Sequence, residues 1–377
     1  MHIRSLISTA AVALTAGAAL AAMPAHAATE MRVNIFAGPN HAIMTHGYPR
    51  FIKGVEADSK GDIKVKMFVG GQLLGAQAML GGLRDGIADA GFMVLPYWPA
   101  QLPISKFIAD LGFLGTDGAA MAGAISEFKL LSCPDCVQEF TSQGVVYGGA
   151  FATPPYALLT RTKVSTLEEV KGKKLRSGGP LWNRWAAAVG AVPSSVPADD
   201  MYDSISRGVL DGTMVSVASL KNYQLWDVTK HVTLADLGTY SGTPASLSLA
   251  FWRKLTPDGR RAIINNLAHV DAGTTVGYWE NDQEVINAAE SKGVKIYKPD
   301  ASLAKATQDF ATKDLAMVVA EASKANVKNA EQKFEAFKAL AAKWHKLAPE
   351  AAYDHDKLVA LFNREIFSKL DASKYGM

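Results

Sequence analysis

Cysteine is nearly missing from this sequence, with two residues, Cys133 and Cys136, in a chain of 377. That excludes a disulfide framework and a cysteine-rich zinc module, both of which need more sulfur ligands. An excess of charge of one sign is missing too. The formal net charge is +3 from 39 basic and 36 acidic residues, so there is no electrostatic footprint for nucleic acid or for an anionic membrane. Beyond residue 23 no apolar run is long enough to cross a bilayer, and there is no internal repeat or low-complexity linker. The common enzymatic signatures are absent as well: no Walker-type phosphate loop, no Gly-x-Gly-x-x-Gly, no His-Glu-x-x-His and no Gly-x-Ser-x-Gly. Ser126-Glu127-Phe128-Lys129 fits Ser-x-x-Lys but has no Lys-Thr-Gly partner. Asp354-His355-Asp356 and the pair His41 and His46 lack the spacing or third ligand of a metal site. No catalysis, cofactor or metal is therefore expected, and soluble work on a small molecule is the default.

What is present begins with a leader. His2 and Arg4 precede an Ala-, Leu- and Val-rich run from Leu6 to Met23, and Ala25-His26-Ala27 has the small-x-small form of a signal-peptidase site. Export to the periplasm with cleavage after Ala27 is expected; an uncleaved anchor is the alternative. In an oxidising compartment, Cys133-Pro134-Asp135-Cys136 reads as a local disulfide, with a redox pair or two free thiols as the other readings.

The mature chain alternates strands and helices. Met31, Val33 and Ile35 alternate with polar residues, Ile43 to Val55 carries helical spacing, and Ile63, Val65 and Met67 alternate again. A helix through Met79 and Leu83 ends at Gly86, and residues 88–93 read as a third strand. This pattern predicts an α/β protein with a largely parallel sheet, whose ligands sit at the carboxyl ends of strands. Phe36, Gln72 and the stretch from Met93 to Trp98 are candidate pocket walls on that ground. Residues 145–151 and 156–160 read as strands separated by a break at Thr153-Pro154-Pro155. Asp199 or Asp200 is expected to cap a helix bearing Met201, Ile205 and Val209. Thr256-Pro257 opens a helix with no strong stop before Gly293, about 54 Å at roughly 1.5 Å per residue, with Gly273 and Gly277 as kink positions. From Glu321 to Leu347 an amphipathic stripe predicts helices packed on the body, with a membrane-surface helix as the alternative.

The leading functional candidate is Arg176. It closes the short apolar approach of Val170 and Leu175 and is followed at once by Ser177-Gly178-Gly179-Pro180. A guanidinium is always charged and offers a planar fork of donors, which suits a carboxylate. Phe151 and Trp182 flank this position or the expected hinge and join it as candidate wall residues.

Gly71-Gln72-Leu73-Leu74-Gly75, Leu83-Arg84-Asp85-Gly86, and above all the block from Leu167 through Lys171-Gly172-Lys173-Lys174-Leu175-Arg176 to Asp211-Gly212 resemble the solute-binding proteins of tripartite ATP-independent periplasmic (TRAP) transporters. The resemblance covers about residues 31 to 300. It implies a two-lobed periplasmic binding protein fold with hinge strands, a long helix spanning both lobes and extra C-terminal helices. The expected division is residues 28–151 with about 242–280 in lobe I, 152–241 with about 281–320 in lobe II, and 321–377 packed on the body. It also implies a carboxylate-binding role for Arg176 and, as partners, a small organic acid and the membrane subunits of a TRAP permease. Val215 stands where many members have a ligand-holding asparagine, and a second arginine found in some members, which would align near Pro155 or Tyr156, is missing. Fewer polar contacts favour a monocarboxylate with an apolar or aromatic body, met by Arg176, Phe151, Tyr156, Trp182, Met214 and Val215. A receptor serving another transporter or a sensor, or a periplasmic enzyme, are the competing readings.

Overall fold

The computed structural model describes residues 28–325 and 327–377; the leader expected over residues 1–27 lies outside the described residues. Two six-stranded sheets carry the architecture. The first contains β1 (Thr29–Ile35), β2 (Ile63–Val69), β3 (Ala90–Met93), β4 (Val145–Val146) and β5 (Phe151–Pro155). The second contains β6 (Ala157–Thr160), β7 (Lys174–Ser177), β8 (Val192–Ser195), β9 (Gly212–Val215) and β10 (His231–Thr233). The next strand, β11 (Thr239–Ser248), returns to the first sheet, and β12 (Lys295–Tyr297) completes the second. Each sheet is parallel apart from one strand. In the first, β11 runs antiparallel to β3 and β4; in the second, β6 runs antiparallel to β9 and β10. The fold is thus the expected two-lobed α/β arrangement.

The chain crosses between lobes at β5–β6 and again at β11. The expected break at Thr153-Pro154-Pro155 is instead strand. Proline lacks the N–H that a central strand must donate, but β5 pairs on one side alone, with β11, and the register shifts between Thr239 and Ser241. Similarly, residues 145–151 do not form one strand. They divide into β4 and β5, with Tyr147 to Ala150 between them.

The block that carried the family resemblance has a local physical role. Thr166 and Glu169 form a reciprocal capping box around the helix Leu167–Val170. Asp211 accepts the Lys174 backbone N–H at 2.8 Å, which fixes β9 beside β7 in a parallel pair with Arg176 opposite Thr213. Gly212 is required there, because a Cβ would lie 2.4 Å from the Leu159 carbonyl oxygen of β6.

The spanning helix runs unbroken from Pro257 to Ala288, about 48 Å at roughly 1.5 Å per residue. Thr256 caps it by accepting from Gly259 N–H at 3.1 Å. Gly273 and Gly277 do not break it. They allow the turn Ile43–Gly47 to approach, since Cβ atoms there would sit 2.3 Å from the His46 carbonyl oxygen and 2.6 Å from its ring.

Two expectations about the helix Met201–Ser206 fail. Val209 lies beyond its end, 59% exposed, because Gly208 already turns into the left-handed region. Neither aspartate caps it through its side chain; the Asp199 carboxylate instead reaches across to accept Ala76 N–H of the other lobe at 3.0 Å.

The amphipathic tail packs on the body. Val327, Ala330, Phe337, Ala341 and Trp344 are buried, and Trp344 donates its indole N–H to Glu127 at 2.7 Å. No helix among the described residues is long and apolar enough to cross a membrane. Cys133 and Cys136 form a disulfide at the start of the helix Pro134–Ser142, where Cys133 Sγ accepts the Cys136 N–H. Both sulfurs belong to buried residues, so neither is presented for thiol exchange.

Candidate functional site

Arg176 is 2% exposed, in β7, and faces a cavity between the lobes. One side is built from the first lobe by Phe92, Val94 and Tyr97. The other comes from Tyr156, Ala198, Met201, Val215, Ser216, Ser219 and Tyr223. Tyr240 of β11 and Tyr278 of the spanning helix close it. The enclosed volume is about 30 Å³, the scale of a water molecule or two.

Arg176 is the one charged side chain among the described residues lining this cavity. Its Nε donates to the Val196 carbonyl at 2.8 Å and its Nη2 to the Tyr97 hydroxyl at 2.9 Å. Both partners are neutral. Burial pushes the phenols of Tyr156, Tyr240 and Tyr278 well above their ordinary range, and it raises Tyr97 despite the opposing pull of Arg176. The tyrosines therefore act as hydrogen-bonding groups and not as anions.

Hydrogen-bond direction can be read residue by residue. Tyr97 Oη accepts from Arg176 and also from Ala198 N–H at 2.9 Å, so both lone pairs are engaged and its proton remains to be donated. Tyr97 belongs to the first lobe and these partners to the second, which makes this hydroxyl a cross-cleft latch. Behind Tyr278, His41 Nδ1 accepts the Ile43 N–H at 3.1 Å. Its Nε2 must then carry the proton that bridges to Tyr278 Oη at 2.9 Å. Burial depresses the imidazole to about 3, which keeps it neutral.

Of the residues singled out in the sequence, Arg176, Tyr156 and Val215 line the cavity. Phe36, Phe151 and Trp182 form a layer behind it: Phe36 stacks on Phe92 at 4.7 Å, Phe151 on Tyr278 at 5.5 Å and Trp182 on Tyr156 at 4.5 Å. Met93 and Met214 are buried but do not line it, because successive side chains of a strand point to opposite faces. The facing residues are their neighbours Phe92, Val94 and Val215. Gln72 is exposed; the polar work in its turn belongs to Asn34 of β1, which accepts from Leu73 N–H and donates to Leu74 O. Val94 and Tyr97, within the expected wall stretch Met93 to Trp98, do line the cavity; Phe92, Ser216, Tyr223, Tyr240 and Tyr278 were missed as wall residues. The two-residue period of β3 carried a signal for Phe92; no local signal marks the others.

Residues 35–322 match the family described as bacterial extracellular solute-binding protein, family 7. The chain belongs to this family. A solute-binding protein of Albidiferax ferrireducens is 23% identical over 266 residues, covering 70% of this chain and 77% of that one. A TRAP periplasmic solute-binding protein of Bordetella bronchiseptica, solved with bound (R)- and (S)-mandelate, superposes with a TM-score of 0.72 at 22% identity, covering 84% and 99% of the two chains. A TRAP solute-binding protein of Rhodoferax ferrireducens T118, in complex with copurified benzoate, gives 0.73 at 21% identity, covering 85% and 99%. Family members are extracytoplasmic solute receptors that work with TRAP membrane permeases, and these likenesses share the two-lobed fold.

Proposed function

We propose that this chain is an exported, periplasmic receptor, released from its leader after Ala27. It captures an organic monocarboxylate with an apolar or aromatic body and delivers it unchanged to the membrane subunits of a TRAP permease. The observation that carries this reading is Arg176: a buried guanidinium whose two partners are neutral oxygens. A buried charge without a counter-ion is costly, and an entering carboxylate removes that cost while gaining charge-assisted hydrogen bonds. Tyr97 adds a donor beside it. Tyr156, Val94, Phe92 and Val215 supply an apolar wall with no second cation, which suits one carboxylate better than two. The mandelate and benzoate bound by the two solved relatives are acids of this kind.

Ligand pockets ordinarily measure about 300–1,000 Å³, far more than this cavity's 30 Å³. Entry therefore requires the lobes to part, with bending assigned to β5–β6 and β11, and closure re-forms the bridge from Tyr97 to Arg176. A thermal-shift screen against organic acids, neutral sugars and amines tests the reading. Acids should raise the melting temperature, because a ligand that binds only the folded state stabilises it by about 2.7 kcal/mol at 100 times its dissociation constant. A screen in which sugars or amines act and acids do not would sink it.

A further inference from the structure

Two hydroxyls in the cavity wall have nothing to bond to. Ser216 Oγ and Tyr240 Oη are buried, line the same cavity as Arg176, and have no hydrogen-bond partner among the described residues. Two neighbouring hydroxyls differ from them in having partners: Tyr97 accepts from Arg176 and Ala198, and Tyr278 is bridged to His41. A buried hydroxyl without a partner costs free energy until something satisfies it, and alanine at 216 or phenylalanine at 240 would fill nearly the same space without that cost. The two hydroxyls come from separate elements, Ser216 from the residue after β9 and Tyr240 from the crossing strand β11.

We infer that the ligand carries, besides the carboxylate held by Arg176, a second hydrogen-bonding oxygen, and that Ser216 and Tyr240 recognise it. This rests on the carboxylate reading above. A serine or tyrosine hydroxyl both donates and accepts, so an alcohol, a phenol or a carbonyl oxygen satisfies it. A protonated amine would add a second positive charge beside the uncompensated Arg176 and is disfavoured. A purely apolar acid leaves both hydroxyls orphaned.

Titration calorimetry on matched acids tests this: propionate against lactate, benzoate against 3-hydroxybenzoate, and phenylacetate against mandelate. In at least one pair the hydroxylated acid should bind about 10-fold tighter or more. That ratio should fall toward one in Ser216→Ala or Tyr240→Phe, whatever happens to the two absolute affinities. A merely structural role would weaken both members of a pair alike and leave the ratio standing. Equal affinities within every pair that binds through Arg176, or a ratio that survives both substitutions, would overturn the inference and leave the carboxylate reading intact; that is the result expected if an ordered water occupies the two hydroxyls. If none of the six acids binds and Arg176→Ala matches the parent protein, the carboxylate reading fails and the inference falls with it.

Discussion

Arg176 and Arg184 stand eight residues apart, both largely withdrawn from water, yet their surroundings differ in kind. Arg184, on the helix Pro180–Ala188, is held by Asp314 through Nε at 2.6 Å and Nη2 at 2.8 Å, and its Nη1 reaches Asp110 at 3.3 Å. Its charge is answered twice by carboxylates that are themselves 2% exposed. Arg176 meets a backbone carbonyl and a phenol. Arg184 is completed by the fold and ties a helix to its neighbours; Arg176, on the reading proposed above, is completed by the carboxylate of a ligand. A buried charge with protein counter-ions reads as architecture, and one without them reads as a site.

The sharpest way to break this comparison is to remove each guanidinium in turn. Arg184→Ala should lower unfolding stability by about 3–5 kcal/mol, because buried Asp314 loses its cation and Asp110 keeps only Lys106, at 2.8 Å, while acid binding by the folded protein changes little. Arg176→Ala should do the reverse. Ligand affinity should fall by about 2–5 kcal/mol, roughly 30-fold to several thousand-fold, with little loss of stability. Calorimetry and denaturant melts on both variants decide it, and equal effects of the two substitutions on stability would erase the distinction.

A smaller effect is expected at the latch. Tyr97→Phe keeps the ring but leaves Arg176 Nη2 and Ala198 N–H without their shared acceptor, so affinity should fall roughly 10- to 100-fold. Small-angle scattering of the unliganded variant should also show a larger radius than the parent, since the bridge joins the two lobes. An unchanged radius would mean that closure does not depend on this hydroxyl.

The mildest test concerns a buried acid instead of a buried base. Asp282 on the spanning helix accepts Ala218 N–H at 2.5 Å, and burial pushes its carboxyl up to about 7 from an ordinary 3.8. Because the folded state binds this proton more tightly than the unfolded chain, its contribution to stability is complete below about pH 3.8 and is lost as the pH rises through 7. Asp282→Asn keeps the accepting oxygen and has no proton to lose. Stability of the variant measured by denaturant titration should therefore vary less between pH 4 and 7 than that of the parent.

Much of the fold was legible in the chain because its signals are local. The Thr256-Pro257 start of the spanning helix, the alternation in β1 and β2, and the Lys-Gly-x-Lys-x-Arg to Asp-Gly block each act over a few residues or one strand pair. Where local signals misled, a longer-range contact had intervened: Asp199 left its cap position to reach Ala76, and Pro154 and Pro155 were accommodated on a strand paired along one side. The one-residue errors at Met93 and Met214 have a simpler cause. Met93 lies in a strand that was read and Met214 in one, β9, that was not; in both, the face turned to the cavity depends on which neighbours the strand packs against.

The sequence by itself determined an α/β chain of the TRAP receptor kind and an arginine at the end of a strand, because strand period, caps and turn chemistry are written in neighbouring residues. It singled out Arg176 by position and resemblance, but it could not show that Arg176 lacks a carboxylate partner while Arg184 has two. That difference lies in Asp110 and Asp314, which are 74 and 130 residues away from Arg184 and come beside it only when the helices pack. The tertiary structure alone also gathered Tyr97, Tyr156, Tyr223, Tyr240 and Tyr278 around one guanidinium. Whether a buried polar group is satisfied is a property of everything that surrounds it, and no stretch of sequence contains its own surroundings.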